Sequence, residues 1–285
     1  MKTQPTRLSA DQISFNFDLI KVLSIILVAL GHFNITAGLL WAPISIALFM
    51  FAFASGYFTA QKYHHSFSTR LFWKNKIQRL SLKIILIDLF LITIFVSASV
   101  EGFFSWMTLP SLFGMTAIFQ WFGIENSSPF GFGLWFFAVL ILFYLVYPVI
   151  SKLIEQQGQA LIFIISLLLT LTILNYVNPM PYSIWLTIFG FLWGCYSGRF
   201  PLFLKPTILA TLIVFSASAL LIFNLGLGVK FTNFPFLLMT AVFCSLFSLS
   251  FAFPKKAFGY LAHLKGCILE IYFIHMYIHL YVNPF

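Results

Sequence analysis

The amino-acid sequence predicts an all-α, polytopic integral membrane protein, a bundle of about nine or ten transmembrane helices. Of its 285 residues, 61% are hydrophobic and only 8% are charged. A soluble protein of this composition would expose apolar surface that it could not cover. Apolar runs of about 20 residues recur along the chain, and each is long enough to cross roughly 30 Å of hydrocarbon. These runs are continuous, whereas a transmembrane β-barrel shows short alternating segments.

Nine apolar segments are predicted to span the membrane. They cover residues 15–36, 42–60, 80–99, 133–151, 159–177, 183–198, 207–225, 234–252 and 266–283. A further apolar segment, 103–122, is interrupted by Gly, Pro and Ser, and is interpreted as a tenth span, a re-entrant piece or an interfacial helix. No linker or low-complexity tract divides the chain, so residues 1–285 are predicted to form a single transmembrane domain.

The basic residues predict the orientation of the chain. Fourteen of the 16 Lys and Arg residues fall in the N-terminus and in loops on the same side, most densely between Lys62 and Lys83. The opposite loops contain Glu101, Glu125 and almost no other charge. By the positive-inside rule, the N-terminus and the basic loops are cytoplasmic. The net charge of +9 has the same origin and does not indicate nucleic acid. This orientation also argues against 103–122 as a simple span, because the chain must cross an even number of times there.

The cysteines and the N-terminus exclude two other classes of protein. The three cysteines, Cys195, Cys244 and Cys267, contain no Cys-x-x-Cys pair. Neither a disulfide framework nor a zinc site is therefore predicted, and no permanently bound cofactor is expected. The first apolar run is long and is not followed by a small-residue cleavage site, so it is predicted to be a retained span, not a signal peptide.

The first predicted span contains three ionisable residues in the stretch "NFDLIKVLSIILVALGHFN". Asp18 precedes Lys21 by three residues, so the two side chains can pair on one helix face. His32 follows Lys21 by eleven residues, about three helical turns, which places both on one face about 16 Å apart along the axis. Lys21 has a purely structural interpretation, in which its ammonium extends to water at the cytoplasmic interface.

His32 points more strongly to function. An ionisable group is costly to keep within a span, and a neutral imidazole is suited to take a proton from an alcohol. Gly31 beside it permits close approach of another backbone or a ligand. The structural alternatives for His32 are a hydrogen bond between helices and a position near the outer interface.

This first helix resembles that of the membrane acyltransferase-3 family, in which an acidic residue, a basic residue and a histidine eleven positions later share the first span. The basic residue is commonly Arg there, and the Lys version with "GH" looks more like the branch related to fucose O-acetylases. Four later segments resemble the family in order. They are "LFMFAFASGYFTA" with Ser55, "KNKIQRL" with Lys76 and Arg79, "GLWFFAVLILFYLVYP" with Trp135, and "LEIYFIHMYI" with Tyr272 and His275.

The resemblance implies transfer of an acyl group, usually acetyl, from cytoplasmic acyl-CoA to a hydroxyl of a cell-envelope glycan or its lipid-linked precursor. Such an enzyme would lie in the plasma membrane, most typically a bacterial inner membrane. Lys21, Lys76 and Arg79 are suitable cations for the phosphates of the donor substrate, acetyl-CoA. His32 would act as general base on the acceptor hydroxyl or form a covalent acyl-histidine, and the sequence leaves both open. Asp18 and Lys21 are predicted to belong to the catalytic site together with His32.

Five further residues are secondary candidates. Asp88 and Glu270, in or beside spans, could orient His32 or form a structural ion pair. His275 matches a family position, with a helix contact as the alternative. Trp135 also matches a family position, and the alternative to a functional role is that it anchors the span at the membrane interface. Ser55, beside Gly56, is interpreted mainly as a position of close helix packing.

Two other functions remain open at this stage. A transporter or flippase also uses intramembrane His, Asp and Lys, but it would predict inverted repeats or paired broken helices, which the sequence does not show. The second alternative is a catalytically inactive relative that binds a glycan lipid on an acyltransferase scaffold.

Overall fold

The computed structural model describes residues 8–32, 37–63, 68–97, 99, 105–128, 130–131, 134–178, 183–226 and 233–282. Within these ranges the secondary structure is helical and contains no β-strand. A 3₁₀ turn, His263–Cys267, joins the last two helices. The helices are α1 (Ala10–His32), α2 (Ala37–Lys62), α3 (Thr69–Ser97), α4 (Thr108–Leu112), α5 (Thr116–Trp121), α6 (Trp135–Leu153), α7 (Gln157–Val177), α8 (Ile184–Arg199), α9 (Pro206–Gly226), α10 (Asn233–Ser250), α11 (Lys255–Ala262) and α12 (Ile268–Val282).

The helices confirm the all-α, polytopic fold class. In the described part of the chain, eight helical segments are long and apolar enough to cross a membrane. Each of the nine predicted spans coincides with a helix, although α8 has only 16 residues and α12 only 15. Three helices begin well before their predicted starts: α1 at Ala10 instead of residue 15, α2 at Ala37 instead of residue 42, and α3 at Thr69 instead of residue 80. The basic segment before the third span is therefore a helical extension of that span.

The doubtful segment 103–122 is not a simple span. Its described part contains α4 and α5, helices of five and six residues. Neither approaches the roughly 20 residues that a crossing requires. The turn between them contains Gly114, whose φ of +69° is in the left-handed region that glycine favours. The prediction from the charge distribution is confirmed.

The chain packs as two compact units. The first unit contains Met1–His64 and Val149–Lys265, and the second contains His65–Pro148 and Gly266–Phe285. The first unit therefore holds α1, α2 and α7 to α11, and the second holds α3, α4, α5, most of α6, and α12. The single domain of the sequence analysis stays a prediction.

Close backbone contact between α2 and α8 forms the core of the first unit. Gly190, Gly194 and Gly198 recur every four residues of α8, which is buried along nearly its whole length. A Cβ atom on any of the three would overlap a carbonyl oxygen of α2, and one on Gly56 of α2 would overlap a carbonyl oxygen of α8. Small residues at this spacing let membrane helices approach closely. The sequence interpretation of Ser55-Gly56 as a packing position is therefore correct for Gly56.

Two tyrosine hydroxyls of α12 organise the second unit. The Tyr277 hydroxyl accepts a hydrogen bond from the Gly131 backbone N–H at 3.1 Å, and the Tyr272 hydroxyl accepts one from Phe136 at 3.2 Å. Phe136 lies in the first turn of α6, where backbone N–H groups have no partner within the helix. The ring of Tyr277 also contacts Phe95 of α3, with centroids 5.3 Å apart. α12 thus connects α3 to the beginning of α6.

Candidate functional site

Asp18 and Lys21 form the ion pair that their spacing predicts. The Lys21 ammonium lies 3.1 Å from one carboxylate oxygen of Asp18. It also lies 5.8 Å from the ring centroid of Phe58 on α2, within the range of a cation–π contact. About a quarter of the Lys21 side chain (26%) is exposed.

The second carboxylate oxygen of Asp18 binds another lysine, which the sequence analysis did not single out. The ammonium of Lys265, in the 3₁₀ turn before α12, donates a hydrogen bond to it at 2.9 Å. The two residues are 247 positions apart, so no local spacing could indicate the contact. The only sequence signal was that Lys265 belongs to the basic loops predicted to be cytoplasmic.

Asn16 fixes α1 against the end of α10. It is fully buried, and its amide nitrogen donates to the backbone oxygens of Ser248 at 2.8 Å and Phe251 at 2.7 Å. Its amide oxygen accepts the backbone N–H of Phe253 at 3.3 Å. These groups lie where α10 ends and the connection to α11 begins. Asn16 therefore satisfies backbone groups that the helix end leaves unpaired, half a turn before Asp18.

His32 is the last residue of α1 and is half-buried. The helix runs continuously from Ala10, so Lys21 and His32 share one face about 16 Å apart, as predicted. Gly31 packs against α2, because a Cβ atom there would overlap the side chain of Ile44. The reactive end of the predicted site is thus held against α2 through a glycine contact.

Lys76 and Arg79, the paired cations of the basic segment, both lie on α3 in the second unit. The Lys76 ammonium lies 3.7 Å from the ring centroid of Tyr144 on α6, and 5.5 Å from that of Phe72. Arg79 is exposed. The two cations therefore have different surroundings. The Lys76 ammonium lies over an aromatic ring, whereas Arg79 is exposed at the surface.

Asp88 lines a cavity of about 490 Å³ in the second unit, together with Lys76. Side chains of α3, α4 and α6 form its walls, and most of them are apolar. Lys76 and Asp88 are twelve residues apart on α3, about 18 Å along the axis. No hydrogen bond or ion pair joins Asp88 to another described residue. The structural ion pair proposed for Asp88 from the sequence is therefore not found among the described residues.

Glu270, by contrast, has a basic partner. The Lys83 ammonium lies 2.8 Å from a carboxylate oxygen of Glu270 and 2.8 Å from the carbonyl oxygen of Gly266. Both charged side chains are more than a third exposed (44% and 36%). Glu270 thus matches the ion-pair interpretation, and its contact links α3 to the beginning of α12.

His275 is buried beside the carbonyl group of Tyr272. Its Nδ1 atom lies 2.6 Å from that oxygen, and only 3% of the residue is exposed. A carbonyl oxygen can only accept, so Nδ1 carries the hydrogen and the lone pair of the neutral ring is on Nε2. A histidine held in this tautomer presents Nε2 as a base.

Trp135 is the first residue of α6 and is 8% exposed. Its ring meets that of Phe136 edge to face, with centroids 5.9 Å apart. An interfacial anchor would expose the indole at the surface, so the burial of Trp135 favours an internal packing role over that alternative.

The described residues provide no arrangement suited to a metal ion. No group of three His, Cys, Asp or Glu side chains within the described ranges could hold one. The three cysteines form no disulfide and differ in exposure: Cys195 of α8 is buried, Cys244 of α10 is intermediate and Cys267 is exposed.

Comparison of the sequence with models of protein families identifies the family to which this chain belongs. The family model of acyltransferase-3, described as an acyltransferase domain, matches residues 15–285. The chain belongs to the acyltransferase-3 family. It is therefore a multi-pass membrane acyltransferase, and the matched region includes Asp18, Lys21 and His32. No curated protein and no solved structure gives a significant match to the chain.

Proposed function

We propose that the protein is an O-acetyltransferase of the plasma membrane, in a bacterium the inner membrane. It would transfer an acetyl group from cytoplasmic acetyl-CoA to a hydroxyl of a cell-envelope glycan or its lipid-linked precursor. One observation carries the proposal: a single continuous helix of this acyltransferase holds the Asp18–Lys21 ion pair and, about 16 Å further on, the half-buried His32.

Lys21 of the first unit and, separately, Lys76 and Arg79 of the second unit are proposed as donor-binding residues for the phosphates of acetyl-CoA. Ammonium and guanidinium groups bind phosphate oxygens through charge-assisted hydrogen bonds, which are stronger than neutral ones. The N-terminus is assigned to the cytoplasm by the positive-inside rule, which puts these cations on the side where acyl-CoA is found. The distance along α1 from Lys21 to His32 is comparable with an extended pantetheine arm, so His32 is assigned to the thioester end.

The proposed reaction is a direct acyl transfer with His32 as general base. The imidazole takes the proton of the acceptor hydroxyl while the hydroxyl oxygen attacks the thioester carbonyl carbon. The new C–O bond forms, the C–S bond breaks, and the departing CoA thiolate takes the proton from the imidazolium. In the alternative route, a ring nitrogen of His32 attacks the thioester carbonyl carbon, the C–S bond breaks, and the departing CoA thiolate takes a proton from the ring. The acceptor hydroxyl then attacks the acetyl group, the N–C bond breaks, and the hydroxyl proton returns to the imidazole.

His275 is the second candidate for the base. The hydrogen bond from its Nδ1 to the Tyr272 carbonyl selects the tautomer with a basic Nε2, as backbone carbonyls do for many functional histidines. Comparing the two histidines by substitution separates these roles, because they lie on different helices and in different units.

The decisive experiment measures transfer from labelled acetyl-CoA by purified protein in lipid nanodiscs, with a glycan-lipid extract as acceptor. We expect His32→Ala to lower transfer by about 10²- to 10⁴-fold, the usual contribution of a general base. His263→Ala is the matched control, because His263 is an exposed histidine outside the proposed site. Size-exclusion profiles show whether each variant remains folded.

Three results would count against parts of this proposal. Wild-type protein that neither binds nor cleaves acetyl-CoA would refute the function. Full transfer by His32→Ala together with complete loss in His275→Ala would move the base to His275. An acetyl group found on His32 by mass spectrometry after rapid quenching would replace the general-base route by the covalent one.

A further inference from the structure

The carboxylate of Asp18 is shared between two lysines that approach from different helical segments. Lys21 of α1 lies 3.1 Å from one oxygen, and Lys265 of the 3₁₀ turn lies 2.9 Å from the other. All three residues belong to the first unit. Because the two oxygens belong to one carboxylate, this arrangement holds two ammonium groups close together.

The charge of this cluster is not balanced. One carboxylate faces two ammonium groups, which leaves one positive charge in excess. The nearest other acidic residue on α1 is Asp11, in its first turn. Lys255 and Lys256, at the beginning of α11, add further positive charge to the same unit. The excess charge at Asp18 is therefore available to an anion from outside.

Exposure increases outwards through the cluster. The side chain of Asp18 is 15% exposed, that of Lys21 is 26% exposed and that of Lys265 is 58% exposed. Each ammonium has three N–H donors, and one of them satisfies Asp18. The remaining donors can bind phosphate oxygens while the contact with Asp18 is kept. An anion that enters from solvent meets Lys265 before Lys21.

We infer that Lys265 and Lys21 together form a phosphate-binding site, in which Lys265 is a donor-binding residue and Asp18 is the residue that positions both lysines. This inference rests on the proposed function, because it identifies the phosphate as part of the acyl-CoA donor. The same two ammonium groups would also suit the phosphate of an anionic lipid, so the test includes lipid composition.

The experiment measures acetyl-CoA binding by titration calorimetry, and transfer kinetics, in nanodiscs of zwitterionic lipid. We expect Lys265→Ala to weaken acetyl-CoA binding by about 10-fold, the loss typical of one hydrogen bond to a charged group. KM should rise by a similar factor with little change in kcat. Lys265→Arg should restore most of the affinity, and Lys265→Glu should weaken binding beyond the Ala variant.

Lys256→Ala is the matched control. Lys256 is an exposed lysine of the same basic region, and the structure shows no ion pair between it and Asp18. We expect its affinity to stay within twofold of wild type. An equal loss in Lys256→Ala and Lys265→Ala would overturn the site, because it would show a general effect of surface charge.

The lipid arm repeats the titration in nanodiscs that contain anionic phosphatidylglycerol. Unchanged acetyl-CoA affinity of Lys265→Ala in zwitterionic lipid would overturn the inference. This arm measures whether phosphatidylglycerol competes with acetyl-CoA for binding to the wild type. If Lys265→Ala kept its acetyl-CoA affinity in zwitterionic lipid but removed this competition, the site would belong to lipid headgroups. The proposed function fails separately, when wild-type protein does not use acetyl-CoA or when transfer is independent of both histidines.

Discussion

The two units of this acyltransferase are packed in different ways. In the first, glycines bring the backbones of α2 and α8 into contact, and a buried amide, Asn16, ties α1 to the end of α10. In the second, α3 exposes many apolar side chains, and a cavity of about 490 Å³ lies along it. Hydroxyl groups of two tyrosines of α12 bind backbone N–H groups there, and the Lys83–Glu270 ion pair joins α12 to α3.

The difference separates a tightly packed unit from one that contains open space. Catalytic groups need side chains that packing and hydrogen bonds hold within a fraction of an ångström. His32, the proposed base, follows a glycine that contacts α2 in the first unit. The second unit, considered by itself, has a cavity beside Lys76 and Asp88. Four predictions test this contrast.

The largest effect is expected from Gly194→Leu in the first unit. A Cβ atom at this position would overlap the backbone of Phe53, which cannot move aside as a flexible side chain could. We expect a loss of more than about 3 kcal/mol of stability, at or beyond the upper end of overpacking costs. Thermal unfolding in detergent measures it. Gly259→Ala in α11 is the control, because a Cβ atom there meets nothing within 4 Å. Equal melting temperatures would show that α2 and α8 can separate freely.

The second effect concerns Tyr277→Phe in the second unit. The substitution keeps the ring but removes the acceptor of the buried Gly131 N–H. Leaving such a group unsatisfied costs about 1–3 kcal/mol. Hydrogen exchange should accelerate at Gly131 while the amides of α8 stay protected. Tyr260→Phe, at a residue 70% exposed, should change little. If protection fell equally in α8, the two units would not unfold independently.

The third effect is a gain of stability in Asp88→Leu. A half-buried carboxylate that has no hydrogen bond to another described residue is costly, and its removal should stabilise the protein by about 1–2 kcal/mol. Transfer activity should fall, because groups retained at a cost in stability are typical of functional sites. Ser81→Leu, also in the cavity wall, is the control for added volume. A lower melting temperature in Asp88→Leu would instead show that the protein itself holds the carboxylate.

The smallest effect is expected at the Lys83–Glu270 ion pair. Both side chains are more than a third exposed, and such pairs typically contribute about 0.2–1 kcal/mol. A double-mutant cycle with Lys83→Ala and Glu270→Ala measures this coupling energy. The charge-swapped protein, with Lys83→Glu and Glu270→Lys, should keep its transfer activity if the pair is structural. Loss of activity in the swapped protein would return Glu270 to the catalytic candidates.

The sequence predicted the parts of this protein that depend on local patterns. Run length placed the spans, charge distribution excluded 103–122 as a crossing, and spacing along one helix predicted the Asp18–Lys21 pair. The helical extension before the third span was missed, because its basic residues interrupt the apolar signal at 69–79.

Contacts between distant segments were beyond the reach of these patterns. Lys265 reaches Asp18 across 247 positions, and Asn16 reaches Ser248 across 232. The glycine repeat of α8 was visible in the sequence as residues 190, 194 and 198, yet its partner helix was not. The spacing of residues along the sequence predicts which of them share one face of a helix. Which other helix packs against that face depends on the whole fold.

The burial of α8 also determines how the thiols of the protein can be used. Cys195 lies on that helix beside the contact with α2 and is 0% exposed, whereas Cys267 is exposed. A membrane-permeable alkylating reagent should modify Cys267 at once and Cys195 only when α8 leaves its neighbours. The natural sequence thus provides an internal reference thiol and a reporter thiol, and the rate of modification at Cys195 would record the opening of the first unit without any added label.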